Sequence, residues 1–391
     1  MTSTDPAPRV SPELRTTAFY FVQFMSGGAA TVFAGIWFSG KGLSPEQIGV
    51  INAVPVLFML VLNFAVGRIA DRADDWRQVI VIGALASGIF PFGLFFVNDF
   101  WGILLFWSLA AMAQMAIVPV ADAAALRITR RRGTDFGAIR AWGTIGYLSF
   151  VFATGYLVVW FGGEIFLPLF AGLALLRGVA AFGLPNFRAP RDERAPQRGA
   201  THLIQVMKPW FLLPLVGWSI VYSTHLILNA FQGLLWKQQG IPADIIGLLI
   251  ALGALSETAM FFAFRRFAGR FAARNLILAS AVVSVARWIA MSFSPGVEIL
   301  FGLQLLHSVT YALGFLGCVN FIANSTSEDI AAEAQSFFVV LQQAMAVLAY
   351  IAFGWLAGNW GAHAYLASAA FAALGGLLVW LSIRMEQPKA A

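Results

Sequence analysis

GLSPEQIG at residues 42–49 and GIPADIIG at residues 240–247 are the two stretches that decide how this chain folds. They stand 198 residues apart and align Gly42 with Gly240, Glu46 with Asp244, Ile48 with Ile246 and Gly49 with Gly247. The same offset lays RIADR (68–72) on RFAGR (266–270). Each matched segment joins apolar runs of equivalent rank: the first follows runs 1 and 7, the second runs 2 and 8. Short loops converge on glycine and charge, so one match would mean little. Two matches at one offset in equivalent loops indicate a duplicated, parallel arrangement of halves.

Outward from these loops the chain is a series of apolar runs. They lie near 16–39, 47–70, 78–97, 102–126, 140–160, 164–184, 209–236, 243–267, 275–293, 297–323, 335–358 and 362–384. A spanning helix needs about 20 apolar residues, so twelve passes take up most of the 391 residues. Apolar residues make up 59% and charged residues 11%, where a soluble chain would be about a quarter charged. The expected fold is an all-α membrane protein, with twelve transmembrane helices in two pseudo-symmetric six-helix bundles. The bundles are expected at 1–184 and 209–391, joined by the polar linker PNFRAPRDERAPQRGATHLIQVMK at 185–208. A soluble enzyme and a disordered chain are excluded. The opening MTSTDPAPRVSPELR has no apolar core and is not a signal peptide. Cys318 stands alone, which excludes an internal disulfide framework and a cysteine metal cluster. No metal and no cofactor are expected.

The basic residues fix an orientation. Twenty-one Lys and Arg fall on one side of the runs, among them Arg68, Arg72, Arg77, Arg127, Arg130, Arg131, Arg132, Arg265, Arg266 and Arg270. Lys41 and Lys237 alone fall on the other side, and Arg177 and Arg287 lie inside runs. The positive-inside rule then puts both termini in the cytoplasm of a bacterial inner membrane. The pI near 9.8 is a topology signal and not a nucleic-acid footprint.

Two six-span halves, a basic central linker and both termini inside resemble the major facilitator superfamily of transporters. The loop Gly67-Arg-Ile-Ala-Asp71-Arg72, with Arg77 beyond it, is similar to that superfamily's G-x-x-x-D-R-x-x-R-R loop. It departs by inserting Asp74 and Asp75 and by carrying a single later Arg. The resemblance implies a gating role for Asp71 and Arg72. PVADA (119–123), DFGAIRAWGTIGY (135–147), HLILNAFQGLLWKQQG (225–240), LSETAMFF (255–262), SVARWIAMS (284–292) and LLHSVTYALG (305–314) resemble the phenylpropionate permease family, which is related to lactose–proton symporters. The Arg-x-Trp-Gly of span 5 and the Ala-Arg-Trp of span 9 are the most specific pieces. This resemblance implies import of a small organic solute driven by the proton gradient.

A charge at a helix centre costs roughly 2.5–3.5 kcal/mol, so ionisable residues inside spans face the bundle interior and default to functional candidates. Glu257, Arg287 and His307 lie in spans 8, 9 and 10. A Glu257–Arg287 pair with His307 nearby is the expected arrangement. Lactose-permease relatives carry an acid, an Arg and a His in those spans, which implies proton coupling by these three residues. They also carry a second acid one turn after the His, where this chain has Thr310. A static ion pair and a satisfied interior histidine are the structural alternatives.

In the first half, Asp122 lies in span 4 and Arg140 opens span 5, sharing a face with Thr144, Tyr147 and Thr154. An Arg among polar and aromatic groups suits bidentate binding of a carboxylate or a pair of hydroxyls, and the lactose-permease resemblance places substrate contacts at Asp122 and Arg140. Snorkelling of Arg140 at the interface is the alternative, and Arg177 is a second candidate partner for Asp122. Span 7 carries a stripe of Tyr222, His225, Asn229, Gln232 and Trp236. Span 10 adds Gln304, His307, Ser308 and Tyr311, and span 1 adds Tyr20 and Gln23. Such stripes suit a water-filled central cavity. The candidate substrate-binding set is Asp122, Arg140, Tyr147, His225, Asn229, Gln304 and Tyr311.

The expectation is a secondary active transporter, a proton symporter of a small organic solute working by alternating access, with an aromatic carboxylate favoured. A sugar or nucleoside symporter and an uncoupled facilitator or exporter are the alternatives. An intramembrane enzyme is excluded, since Asp74-Asp75 lacks D-D-x-x-D spacing and no Ser/His/Asp set converges. The partners expected are the substrate, protons and the bilayer, with no nucleic acid and no obligate protein partner.

Overall fold

The computed structural model describes residues 10–187, 207–266, 270–326 and 328–385, and every regular element among them is helical. The predicted linker at 185–208 falls mostly outside the described residues. Twelve long helices run in order: α1 (Pro12–Gly40), α2 (Pro45–Arg72), α3 (Trp76–Phe95), α4 (Phe100–Arg132), α5 (Phe136–Phe161), α6 (Gly163–Phe182), α7 (Pro209–Gln238), α8 (Ala243–Ala263), α9 (Ala273–Ser292), α10 (Val297–Ser325), α11 (Glu328–Trp360) and α12 (Ala364–Ile383). Eleven stretches among the described residues are long and apolar enough to cross a bilayer, with α11 and α12 counted together as one run of 51 residues, Glu333–Ile383. α11 and α12 are separated only by a tight turn at Gly361–His363, where Gly361 takes φ +53°. The loops that announced the duplication share a backbone device. Gly42 and Gly240 both adopt left-handed φ, +79° and +82°, which only glycine accepts without strain.

The packing divides the chain into Met1–Thr31 with Val61–Glu193, and Val32–Leu60 with Arg194–Ala391. The pairing of helices repeats. In the first unit α3 packs on α4 and α6, and α1 on α5; in the second α9 packs on α10 and α12, and α7 on α11. Phe19, Ile80, Ile117, Ala124 and Leu184 centre the first core, and Phe211, Trp218, Ile277, Cys318 and Phe338 the second. Large aromatics sit exposed at helix ends, including Phe96, Trp101, Trp160 and Phe293, as an interfacial belt requires.

Glycines set the closest crossings, as membrane helices without a hydrophobic drive between them require. A Cβ on Gly217 of α7 would stand 2.5 Å from the Gly375 carbonyl oxygen of α12. The ends of α1 and α2 join the second unit in the same way: a Cβ on Gly35 would meet the Ala230 carbonyl oxygen at 2.5 Å, and one on Gly354 the Pro45 carbonyl oxygen at 2.8 Å.

Three helices are interrupted. α1 turns at Phe24, α7 at His225 and α10 near Leu306, where a π-helical stretch, Ser308–Leu313, follows. Such breaks free backbone groups and gather at functional sites. The loop after α2 is tied down by Asp75, which caps α3 through the Arg77 amide at 2.9 Å and accepts from the Phe187 amide at 2.8 Å. Arg77 donates to the Phe182 carbonyl at the end of α6 at 2.8 Å. Gly375→Leu should separate α12 from α7. The expected outcome is loss of monodisperse protein in detergent chromatography, with Gly375→Ala retaining an intermediate yield.

Candidate functional site

Each unit holds a polar cluster in otherwise apolar helices. In the second unit the cluster hangs on Arg287 of α9, a guanidinium with no solvent exposure. Its Nη1 donates to Thr310 Oγ1 at 2.9 Å and to His307 Nδ1 at 3.1 Å, and its Nη2 to Gln304 Oε1 at 2.6 Å. The indole of Trp288 packs 5.0 Å away. All these partners are neutral, and no carboxylate among the described residues lies within ion-pair distance of Arg287. The expected Glu257–Arg287 pair does not form, because His307 stands between them, with Nε2 3.4 Å from Glu257 Oε2.

That order fixes the chemistry of the imidazole. A guanidinium only donates, so His307 Nδ1 accepts and the ring proton sits on Nε2, facing the Glu257 carboxyl. Glu257 keeps 27% side-chain exposure and His307 17%, while Arg287 has none. The row therefore runs from an accessible acid to a sealed cation. His307 stacks on Tyr311 at 5.2 Å, and His225 meets His307 and Trp288 edge-on at 5.6 and 4.9 Å. His225 sits at the turn in α7 with Nδ1 3.0 Å from the Val221 carbonyl oxygen. Trp288 donates to Thr224 Oγ1 at 2.9 Å and stacks on Tyr365, so it belongs to the packed interior.

In the first unit Asp122 of α4 accepts from the Tyr20 hydroxyl of α1 at 2.6 Å and pairs with Arg140 Nε at 3.4 Å. Arg140 lies over the Phe24 ring at 4.5 Å and near the Tyr20 ring at 5.6 Å. Its Nη1 and Nη2 make no hydrogen bond among the described residues, and the side chain is one-third exposed. Nε is thus paired with Asp122, while Nη1 and Nη2 are left without a hydrogen-bond partner among the described residues. Arg177 does not join Asp122. It is buried among Ser26, Ser87 and the Gln23 carbonyl.

The family profile described as MFS_1 like family matches residues 14–373. The chain belongs to this family. It is 26% identical over 325 residues to the "Probable 3-phenylpropionic acid transporter" of Escherichia coli (strain K12), covering 80% of this chain and 82% of that one. It is 24% identical over 372 residues, 94% of each chain, to the maltose permease of Geobacillus stearothermophilus. The crystal structure of nucleoside transporter NupG superposes with a TM-score of 0.83 at 17% identity, covering 96% of this chain and all of that one. The family is one of transporters and the fold that of the major facilitator superfamily, so this is a multi-pass transporter and not an enzyme.

The other candidates of this MFS_1-like chain fall into three groups. Tyr147 is half-buried on α5, and Asn229 is exposed on α7, where it bonds Tyr350. Gln304, expected to face substrate, has both ends of its amide engaged, by Arg287 and by the Leu249 carbonyl oxygen at 3.0 Å. It orients the arginine instead. Arg72 is exposed and has no hydrogen bond or ion pair among the described residues, while the Asp71 side chain lies outside them. Thr310 and Phe24 were not singled out as partners of the arginines. Thr310 occupies the place of the relatives' second acid, and that departure was its only signal. Phe24 carried none. Thr310→Val deletes one acceptor from a sealed cation. Thermal unfolding in detergent should show it destabilised by about 1–3 kcal/mol, with Thr310→Asp, which restores a countercharge, at or above wild type.

Proposed function

We propose that this protein is a proton symporter that imports a small organic carboxylate by alternating access, with aromatic acids of the 3-phenylpropionate type favoured. The observation that carries the coupling is the row Glu257–His307–Arg287. Glu257 binds the transported proton. While it is ionised, it accepts from His307 Nε2–H, and His307 in turn receives Arg287. Once it is protonated, the carboxyl no longer attracts that N–H as a carboxylate does, and the row loosens. Proton loading thus becomes a change in how α8 is tied to α10 and α9, a differential contact of the kind a conformational shift requires.

The substrate class rests on Arg140. Its Nε is paired with Asp122, and the Nη pair, without a hydrogen-bond partner among the described residues, matches the two oxygens of a carboxylate. Asp122 is already neutralised by Arg140 and bonded by Tyr20, so it does not repel an anion as a free carboxylate would. The E. coli relative named for 3-phenylpropionic acid supports the same class. The likeness to a maltose permease and to a "Putative nucleoside transporter" of E. coli supports a second reading, in which Asp122 accepts hydroxyls of a sugar or nucleoside. We place the protein in the bacterial inner membrane with both termini cytoplasmic, on the strength of the basic-residue asymmetry and the bacterial relatives.

Purified protein in liposomes with an imposed inward proton gradient tests this directly. Labelled 3-phenylpropionate should accumulate, and unlabelled maltose or nucleoside should not compete. Glu257→Gln should abolish gradient-driven accumulation and leave counterflow exchange largely intact. Driven accumulation by Glu257→Gln at the wild-type level would overturn the proton role, and competition by maltose or nucleoside would favour the second reading.

A further inference from the structure

Arg177 of α6 is the other buried arginine among the described residues, 2% exposed, and no carboxylate among them lies within ion-pair distance of it. Burying a guanidinium without a countercharge is expensive unless its donors are satisfied, and here four contacts satisfy them. Nε donates to Ser87 Oγ at 3.0 Å and Nη2 to the Ser87 carbonyl oxygen at 3.1 Å, both on α3. Nη1 donates to Ser26 Oγ at 2.8 Å and reaches the Gln23 carbonyl oxygen at 3.5 Å, both on α1.

Gln23 and Ser26 flank the interruption of α1 at Phe24. The turn leaves the Gln23 carbonyl to side-chain donors, and Gln114 Nε2 of α4 reaches it as well, at 3.3 Å. Arg177 therefore grips α1 on both sides of its break and fastens it to α3. The residue at the break is the one whose ring carries Arg140 at 4.5 Å. One turn earlier on the same helix, Tyr20 holds Asp122 at 2.6 Å. The available space is narrow. A Cβ on Gly143, beside Arg140 on α5, would stand 2.8 Å from Phe24 Cδ2 and 3.1 Å from Arg140 Nη1. Phe24 and Arg140 thus share the space over Gly143 and stand in direct contact with each other.

We infer that Arg177 is a positioning residue for substrate recognition: through the break in α1 it sets the Phe24 platform and the Tyr20 anchor that aim the Arg140 fork. It touches no substrate. Its guanidinium is chosen over an ammonium because the four contacts diverge in a plane and lie on two helices, a geometry that one point donor does not span. The inference rests on the proposed role of Arg140.

The test is a cycle of Arg140→Ala, Arg177→Met and their double variant, read as KM and Vmax for 3-phenylpropionate exchange in liposomes. Arg140→Ala should raise KM. Arg177→Met should raise KM about tenfold, the equivalent of one charged hydrogen bond, with Vmax little changed. Arg177→Lys should fall between Arg177→Met and wild type. In the Arg140→Ala background, Arg177→Met should add nothing to KM. If Arg177→Met does not fold, Ser87→Ala and Ser26→Ala weaken the same grip and should shift KM in the same direction by less. A KM effect of Arg140→Ala without one from the Arg177 or serine variants overturns this inference alone, as does full additivity in the double variant. No effect of Arg140→Ala on KM overturns the recognition role of Arg140, and this inference with it.

Discussion

A guanidinium sealed inside an apolar helix bundle has to find acceptors, and in both units of this protein it finds neutral ones. Arg287 donates from Nη1 and Nη2 to a histidine, a threonine and a glutamine, with Nε left without a partner among the described residues, and Arg177 donates to two serines and a carbonyl freed at a helix break. This constraint orders much of what surrounds it. It fixes the tautomer of His307, takes up the Gln304 amide, and holds α1 where it turns.

In the proposed function the two clusters divide the work. The half-open carboxyl of Glu257 in the second unit ends a row of side chains leading to a buried cation, and the proposal has a proton there alter the ties among three helices. In the first unit the proposal has Asp122 and Tyr20 hold one edge of Arg140 and leave the other to meet an anion. The interrupted helices α1, α7 and α10 bring these residues together, and each interruption lies within a few residues of the chemistry: Phe24 beside Arg140, His225 against His307, and the π-helical stretch directly after His307.

The helices and the ionisable residues were legible in the amino-acid order because apolar length and the cost of intramembrane charge leave little freedom. The duplicated loops were legible because both need a left-handed glycine, Gly42 and Gly240. The partnerships were not. Spacing puts Glu257, Arg287 and His307 on neighbouring helices, but which of them stands between the other two depends on rotamer and on the irregular turn of α10. Gln304 shares a face with His307 and so read as a cavity residue, although its amide bridges inward. The break at His225 carries no glycine or proline to announce it, and the one at Phe24 has only Ser26-Gly27-Gly28 just beyond it. Arg177 read as a spare partner for Asp122 because its real acceptors, two serines and a backbone carbonyl, leave no charge signature.

The central claim is that the Glu257 carboxyl occupies the hydrocarbon layer because it faces water. In a Cys318→Ala background, a charged, membrane-impermeant thiol reagent should modify Glu257→Cys in liposomes and spare Leu255→Cys, which stands exposed on another face of the same helix. Equal resistance of the two cysteines, or faster modification at position 255, would contradict the claim.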